Sequence, residues 1–221
     1  GIEPYFNILE REGVEWEEED KKLTKDLFKV NDRAIRGSLL GKINAVCRGG
    51  KDTVNKIFDP LCSGFTDSSP ALRELTLKSC APITKHLTPA NMEKLARYCA
   101  RLGNDQEASI RTNTVIFLGR MSDGLGKQAR GKVVVPGIRR ALGDGFVPCR
   151  EAALKSVRAT SDDWDMDEIT KGIIGLVAGM MVDGDKGVRN EAEVTLGVLV
   201  DRLKKEKGKR DDRGDDTVAV K

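Results

Sequence analysis

The chain has 221 residues, 39% of them hydrophobic but only 5% aromatic, and a formal net charge of +3. Such a composition supports a real core, yet one short of large rings, which suits many small packed units better than a single globular centre. A charge so near zero gives no argument for nucleic acid by itself. Five cysteines without a C-x-x-C pair cannot all be joined in disulfides, and a single histidine, His86, leaves neither a metal site nor a Ser/His/Asp or Cys/His catalytic set.

In chain order, Pro4 opens a predicted short helix carrying Tyr5, Phe6, Ile8 and Leu9, followed by the acidic stretch Glu15 to Asp20, so residues 1–22 read as a leader helix and a solvated linker. Leu23, Leu27, Phe28 and Val30 form the apolar side of the next helix, and Arg36 to Cys47 form its partner, ended by Gly49 and Gly50. Asp52 is expected to cap a helix over Val54 to Phe65, which contains Pro60. Thr88 followed by Pro89 is a clean helix start. Pro136 stands inside a later helix as Pro60 does in an earlier one, and Gly175 takes that place in the last, so the spacing predicts a bend shared by the repeats. Asp162, Asp163, Asp165, Asp167 and Glu168 place favourable negative charge at a helix start; they lack the EF-hand pattern.

An apolar residue followed by Arg ties these helices together. Arg36, Arg73, Arg111, Arg150 and Arg189 follow one another at steps of 37, 38, 39 and 39 residues, the length of one helical hairpin. Four positions after the Arg stand Leu40, Leu77, Val115 and Leu154, broken only by Glu193, and seven after stand Ile43, Cys80, Leu118, Val157 and Leu196. Each Arg therefore opens a helix with one buried stripe. An Asp lies six residues before it in four copies: Asp67, Asp105, Asp144 and Asp183. The fold expected is all-α, a right-handed α-solenoid of about five HEAT repeats over residues 23–203, with residues 204–221 a disordered charged tail. The four Asp are expected to cap the second helices, and Arg73, Arg111, Arg150 and Arg189 to bond to the Asp of an adjacent repeat as a ladder.

The cysteines read as small hydrophobes of a reducing compartment. The run DGLGKQ from Asp123 to Gln128 lacks the Ser or Thr of a phosphate loop, the longest apolar run, Ile173 to Val182, is too short for a bilayer, and Arg213-Gly214-Asp215 is a chance RGD. No catalytic residue, cofactor or metal ligand is indicated. The chain starts at Gly and ends in a polar tail, as an excised piece would. Charge is unevenly spread: residues 1–30 hold nine acidic and five basic side chains, residues 94–158 five acidic and thirteen basic.

Projecting each second helix at 100° per residue turns positions five, eight, nine and twelve after the Arg away from the core. That row contains Arg48, Lys78, Lys85, Arg120, Lys155 and Arg158, with Ile116 among them as an exposed apolar residue. Second helices line the concave side of HEAT arrays, so the row is expected to form a groove for an acidic partner surface, an acidic peptide or, second, a phosphate backbone. Asn113, two positions after its Arg, is expected to belong to the hydrogen-bonded frame.

The segments VNDRAIRGSLLGKI (Val30 to Ile43), GFTDSSPALRELTLKSCAPITKHLTPANM (Gly64 to Met92), IRTNTVIFLGRM (Ile110 to Met121) and MVDGDKGVRNEAEVTLGVLVDRL (Met181 to Leu203) resemble the C-terminal HEAT-repeat domain of the Scy-like pseudokinases, the N-terminal kinase-like proteins. The fourth repeat follows the pattern only loosely. The resemblance implies a non-catalytic scaffold: a cytoplasmic adaptor at Golgi and ER–Golgi intermediate membranes, binding coatomer and Arf-type GTPases in retrograde traffic. For a fungal branch it implies export of tRNA from the nucleus, so an RNA-binding module is the alternative. The basic middle supports that alternative, while the scarcity of aromatic stacking partners weakens it.

Overall fold

The computed structural model describes residues 16–211, helices joined by short turns with no strand among the described residues. The leader helix expected at Pro4 and the sequence Arg213-Gly214-Asp215 lie outside them.

The helices pair into five hairpins. In the first, α1 (Glu18–Lys29) precedes α2 (Arg33–Gly41) and α3 (Ile43–Arg48); in the second, α4 (Gly50–Cys62) precedes α5 (Pro70–Ile83). The third joins α6 (Pro89–Leu102) to α7 (Ala108–Met121). The fourth opens with α8 (Lys127–Ala129), a π turn (Arg130–Val134) and α9 (Val135–Leu142), and closes with α10 (Val147–Thr160). The fifth has a π turn (Glu168–Ile173) and α11 (Ile174–Gly179) before α12 (Lys186–Asp211). Every second helix starts three residues before its marker arginine.

The apolar rows form the core. Leu40, Leu77, Val115 and Leu154 are buried, as are Ile43, Cys80, Leu118 and Val157, while Leu196 is half-buried and Glu193 exposed. Burying each large aliphatic side chain contributes ~1.5–3 kcal/mol, so the rows alone can hold neighbouring hairpins together. A hydroxyl six positions after the Arg stitches repeats further: Ser79 Oγ donates to the Leu40 carbonyl at 3.1 Å, Ser156 Oγ to Val115 at 3.1 Å and Thr195 Oγ1 to Leu154 at 3.4 Å. These bonds close against an exposed-looking helix flank, and nothing in the hydrophobic periodicity announces them.

Local starts follow their chemistry, with corrections. Thr88 caps α6, accepting from Asn91 N–H at 3.3 Å, and Pro89 occupies the first turn. Asp52 is not a cap: α4 begins at Gly50, whose φ of 82° suits glycine alone, and Asp52 lies in its first turn, paired with Lys56. The expected shared bend is restricted. In the fourth hairpin the π turn runs directly into the stretch holding Pro136, which has no N–H to continue the α ladder, and in the fifth a π turn ends just before Gly175. Pro60 instead sits in the last turn of an unbroken α4. At the other end α12 continues past Leu203 to Asp211, eight residues into the stretch expected to be unstructured. Lys204 and Lys209 make i,i+3 ion pairs with Asp201 and Glu206 there, local support that lets a polar segment extend a helix already nucleated by packing.

Candidate functional site

Two systems of charged side chains run along the array. The first is a ladder. Arg73 grips Asp105 of the next repeat with two bonds, Nε to Oδ2 at 2.7 Å and Nη2 to Oδ1 at 2.8 Å; Arg111 grips Asp144 in the same way at 2.7 and 2.9 Å. Arg150 reaches Asp183 through Nη2 alone, at 2.9 Å, and its Nε is buried without a partner among the described residues. The remaining edge of each guanidinium turns back on its own repeat: Nη1 donates to the carbonyls of Asp67, Asp105, Asp144 and Asp183 at 2.7–2.9 Å, from Arg73, Arg111, Arg150 and Arg189 respectively. Arg189 has this half of the geometry; no carboxylate for its other half is present among the described residues. At the first junction Arg33, not Arg36, meets Asp67, at 3.1 Å. The first copy has Val30 where the others have Asp, and so lacks the turn that orients the later arginines.

The four Asp do not cap helices as expected. Their Oδ1 atoms accept from the N–H two residues on, at Ser69, Glu107, Phe146 and Asp185, at 2.8–3.0 Å, which closes an Asx turn leading into the helix. The side chain is too far upstream to reach the N2 or N3 amides of a true cap. One carboxylate thus fixes its own turn with one bond and receives the neighbour's guanidinium with the rest. Arg73 holds the Asp105 carboxyl below the ordinary carboxylate range, Arg111 brings Asp144 down to about 2, and Arg150 lowers Asp183; at Asp67 the Ser69 N–H is the main cause.

The second system is the basic row on the second helices, and the structure divides it. Lys78, Ile116 and Arg120 come together with Leu77, Ala81, Asn113 and Phe117 around a cleft of about 240 Å³ between α5 and α7. Ile116 is not exposed as expected but half-buried, because its side chain packs on the core beside Phe117. Asn113 donates to Glu74 Oε1 at 3.0 Å, and Glu74 also pairs with Lys78 at 2.6 Å. Lys155 and Arg158 lie apart from this cleft, gathered on Glu191 of the next repeat. Arg158 is half-buried rather than outward-facing: Nη2 meets Glu191 Oε2 at 2.6 Å and Nη1 donates to Thr195 Oγ1 at 2.7 Å, while Lys155 stands 3.5 Å from Glu191. Burial pushes the Glu191 carboxyl up, and Arg158 and Lys155 together overcome it and lower its pKa. Arg48 and Lys85 are exposed near the first repeat, with no ion pair among the described residues.

The sequence reading missed Glu191 and the leading-helix surface. Glu191 stands two positions after its Arg, as Asn113 does, and both reach back across a junction to the preceding repeat. That shared offset was a usable signal. The five thiols are free. Burial pushes Cys62 up to about 12 and Cys149 to about 11, so neither is a nucleophile near neutral pH. What these surfaces offer chemically is charge and shape for a partner.

Hairpins of this length, stacked through buried aliphatic rows and an Asp–Arg ladder, define an α-solenoid of the HEAT and armadillo class. A designed armadillo repeat protein superposes on 90% of the chain with a TM-score of 0.63 at 12% identity, a likeness of fold. The solved structure of Cex1p matches 86% of the chain, and 36% of its own length, with a TM-score of 0.76 and 27% identity. No family model matches the chain. Among curated proteins it is 31% identical over 180 residues to the probable inactive serine/threonine-protein kinase scy1 of Dictyostelium discoideum, covering 80% of this chain and 22% of that protein. It is 31% identical over 184 residues to the protein kinase domain-containing protein ppk3 of Schizosaccharomyces pombe, covering 80% of this chain and 28% of that one. Through its repeat region the chain is similar to part of a Scy1-type inactive kinase and of a second kinase-domain protein. It spans 22–28% of the length of these relatives. No helix among the described residues is long and apolar enough to cross a membrane.

Proposed function

We propose that the array is a non-catalytic protein-binding scaffold that holds an acidic segment of a partner in the cleft between α5 and α7. Within the whole protein we place it as an adaptor on the cytoplasmic side of Golgi and ER–Golgi intermediate membranes, with coatomer and Arf-type GTPases as partners. One observation carries the binding site: the cleft is floored by Leu77, Ile116 and Phe117, and Arg120 stands exposed at its edge with no carboxylate partner among the described residues. An apolar floor with a free guanidinium at the rim is the arrangement that anchors partner side chains at interfaces. The traffic role rests on kinship with the Scy1-like inactive kinases.

The test is the affinity of the purified array for purified coatomer and for an Arf-type GTPase. Lys78→Glu with Arg120→Glu should remove binding while helicity and melting temperature stay near those of the parent. Capture that survives the double change places the site elsewhere, and no capture of either partner removes the traffic role. A second reading, tRNA binding, is favoured by the thirteen basic against five acidic side chains over residues 94–158. Affinity for tRNA that falls steeply with added salt supports it, and absence of binding at low salt removes it.

A further inference from the structure

The basic character of the middle repeats is concentrated away from the cleft just described, on the leading helices. Arg97 and Arg101 lie one turn apart on α6, and Lys132 faces them from the π turn of the fourth hairpin. With Glu93, Ala100, Gln128, Ala129 and Val133 these side chains line an open cleft of about 540 Å³. Ala100 and Ala129 keep the space between the two helices open, because neither carries a side chain long enough to bridge it. Arg140 flanks the same edge, its Nη1 lying 3.5 Å from the Ala100 carbonyl.

Charge distinguishes this face from the second helices. On the second helices Lys78 is matched by Glu74, and Lys155 and Arg158 by Glu191, which leaves Arg120 as the one unmatched cation of the row in the middle repeats among the described residues. On the leading helices Arg97, Arg101, Lys132 and Arg140 are exposed, and none has a carboxylate within ion-pair distance among the described residues; Glu93 is the one acid on the cleft lining. Like charges left together on adjoining helices repel one another, and a bound anion relieves that repulsion. The floor is aliphatic, from Ala100, Ala129 and Val133, so the complementary ligand is a chain that brings carboxylates and small apolar groups together. Bases would find no ring on the lining of this cleft, and Tyr98 beside it is stacked on Phe65 at 5.0 Å between centroids with the Arg101 guanidinium 5.9 Å from its own centroid.

We propose that this cleft between α6 and the π turn is a second docking site, which takes an Asp/Glu-rich peptide segment of a partner protein. Carboxylates meet Arg97, Arg101 and Lys132, and the aliphatic floor takes the side chains between them. The site stands apart from the cleft between α5 and α7, so one array can hold two partners at once. This assignment does not depend on the traffic role.

The test uses a fluorescein-labelled peptide of alternating acidic and small apolar residues, titrated with the full chain and followed by anisotropy at low and near-physiological ionic strength. The expected result is saturable binding that weakens with salt and falls by about tenfold or more in Arg97→Glu with Arg101→Glu, and again in Lys132→Glu. The titration is repeated in the Lys78→Glu, Arg120→Glu background, where the cleft between α5 and α7 no longer contributes and the binding that depends on Arg97, Arg101 and Lys132 should remain. Should the charge-reversed forms lose helicity, Arg97→Gln and Lys132→Gln serve in their place, and hydrogen exchange with the peptide bound should show protection over residues 128–133. Equal binding by the parent and the Arg97 and Lys132 variants overturns the proposal, as does loss of binding only in the Lys78 and Arg120 variant. Tighter binding of a single-stranded RNA that depends on the same residues overturns the choice of a peptide.

Discussion

Asp144→Ala tests the ladder where its geometry is most complete. The Asp144 carboxylate receives Nε and Nη2 of Arg111 at 2.7 and 2.9 Å and the Phe146 N–H at 2.9 Å, with 11% of its side chain exposed. Bringing its pKa from 3.8 to about 2 corresponds, at ~1.4 kcal/mol per unit, to about 2–3 kcal/mol of stability at neutral pH. Arg111, with 21% of its side chain exposed, keeps water near one edge of the pair, which discounts that figure; the Asx-turn bond from the Phe146 N–H is already part of it. The expected cost is therefore ~2 kcal/mol, or a fall in melting temperature of roughly 4–8 °C for a chain of this size. A carboxylate whose folded pKa is depressed contributes fully above its unfolded value and loses the contribution as pH falls through the folded value. The gap between parent and variant should thus be constant above about pH 4 and close as pH falls towards about 2. Thermal unfolding followed by circular dichroism gives both numbers, and the cycle Arg111→Ala, Asp144→Ala and the double variant isolates the pair. A cost below about 0.5 kcal/mol, or a coupling of zero, would refute the ladder as a stabilising element.

Asp183→Ala should cost less than Asp144→Ala in the same assay, since Arg150 offers Asp183 one bond instead of two. Glu191→Ala should lower stability by ~1 kcal/mol through the lost Arg158 contact, leaving helicity intact. Gly64→Ala drives a methyl into Thr76 Oγ1 and should destabilise by ~1–3 kcal/mol, whereas Gly197→Ala meets nothing within 4 Å and should be neutral or stabilising. In thiol labelling at neutral pH, half-buried Cys47 should react first and fully enclosed Cys80 and Cys99 only on unfolding.

Periodicity carried the architecture because every hairpin repeats one burial problem. An arginine spaced by one hairpin and followed at four and seven by aliphatic residues has few other uses, so helix starts and core rows were legible together. The Asp was legible as an element of the ladder, but not as an Asx turn, because a cap and a turn differ by where one backbone amide points. The bend was read from proline alone. The structure places π turns ahead of Pro136 and Gly175 and none at Pro60, a distinction set by position within the helix rather than by residue type. On the surface, a single-helix projection sorted inward from outward correctly for Lys78 and Arg120. It failed for Arg158, because Glu191 and Thr195 belong to the next repeat and a projection of one helix contains no neighbour. The leading-helix cleft escaped for the same reason: Arg97 and Arg101 belong to the third hairpin and Lys132 to the fourth, and they meet only once the array is stacked.

The central claim is that the cleft between α5 and α7 receives a partner protein, and site-directed photo-cross-linking addresses it directly. A benzophenone side chain at Ile116, introduced into the full-length protein in cells, should form a cross-link with a coatomer subunit or an Arf-type GTPase. That cross-link should vanish in the Lys78→Glu, Arg120→Glu background. Cross-links that persist in that background, or an Ile116 probe that captures nothing while one on the leading helices does, would contradict the account.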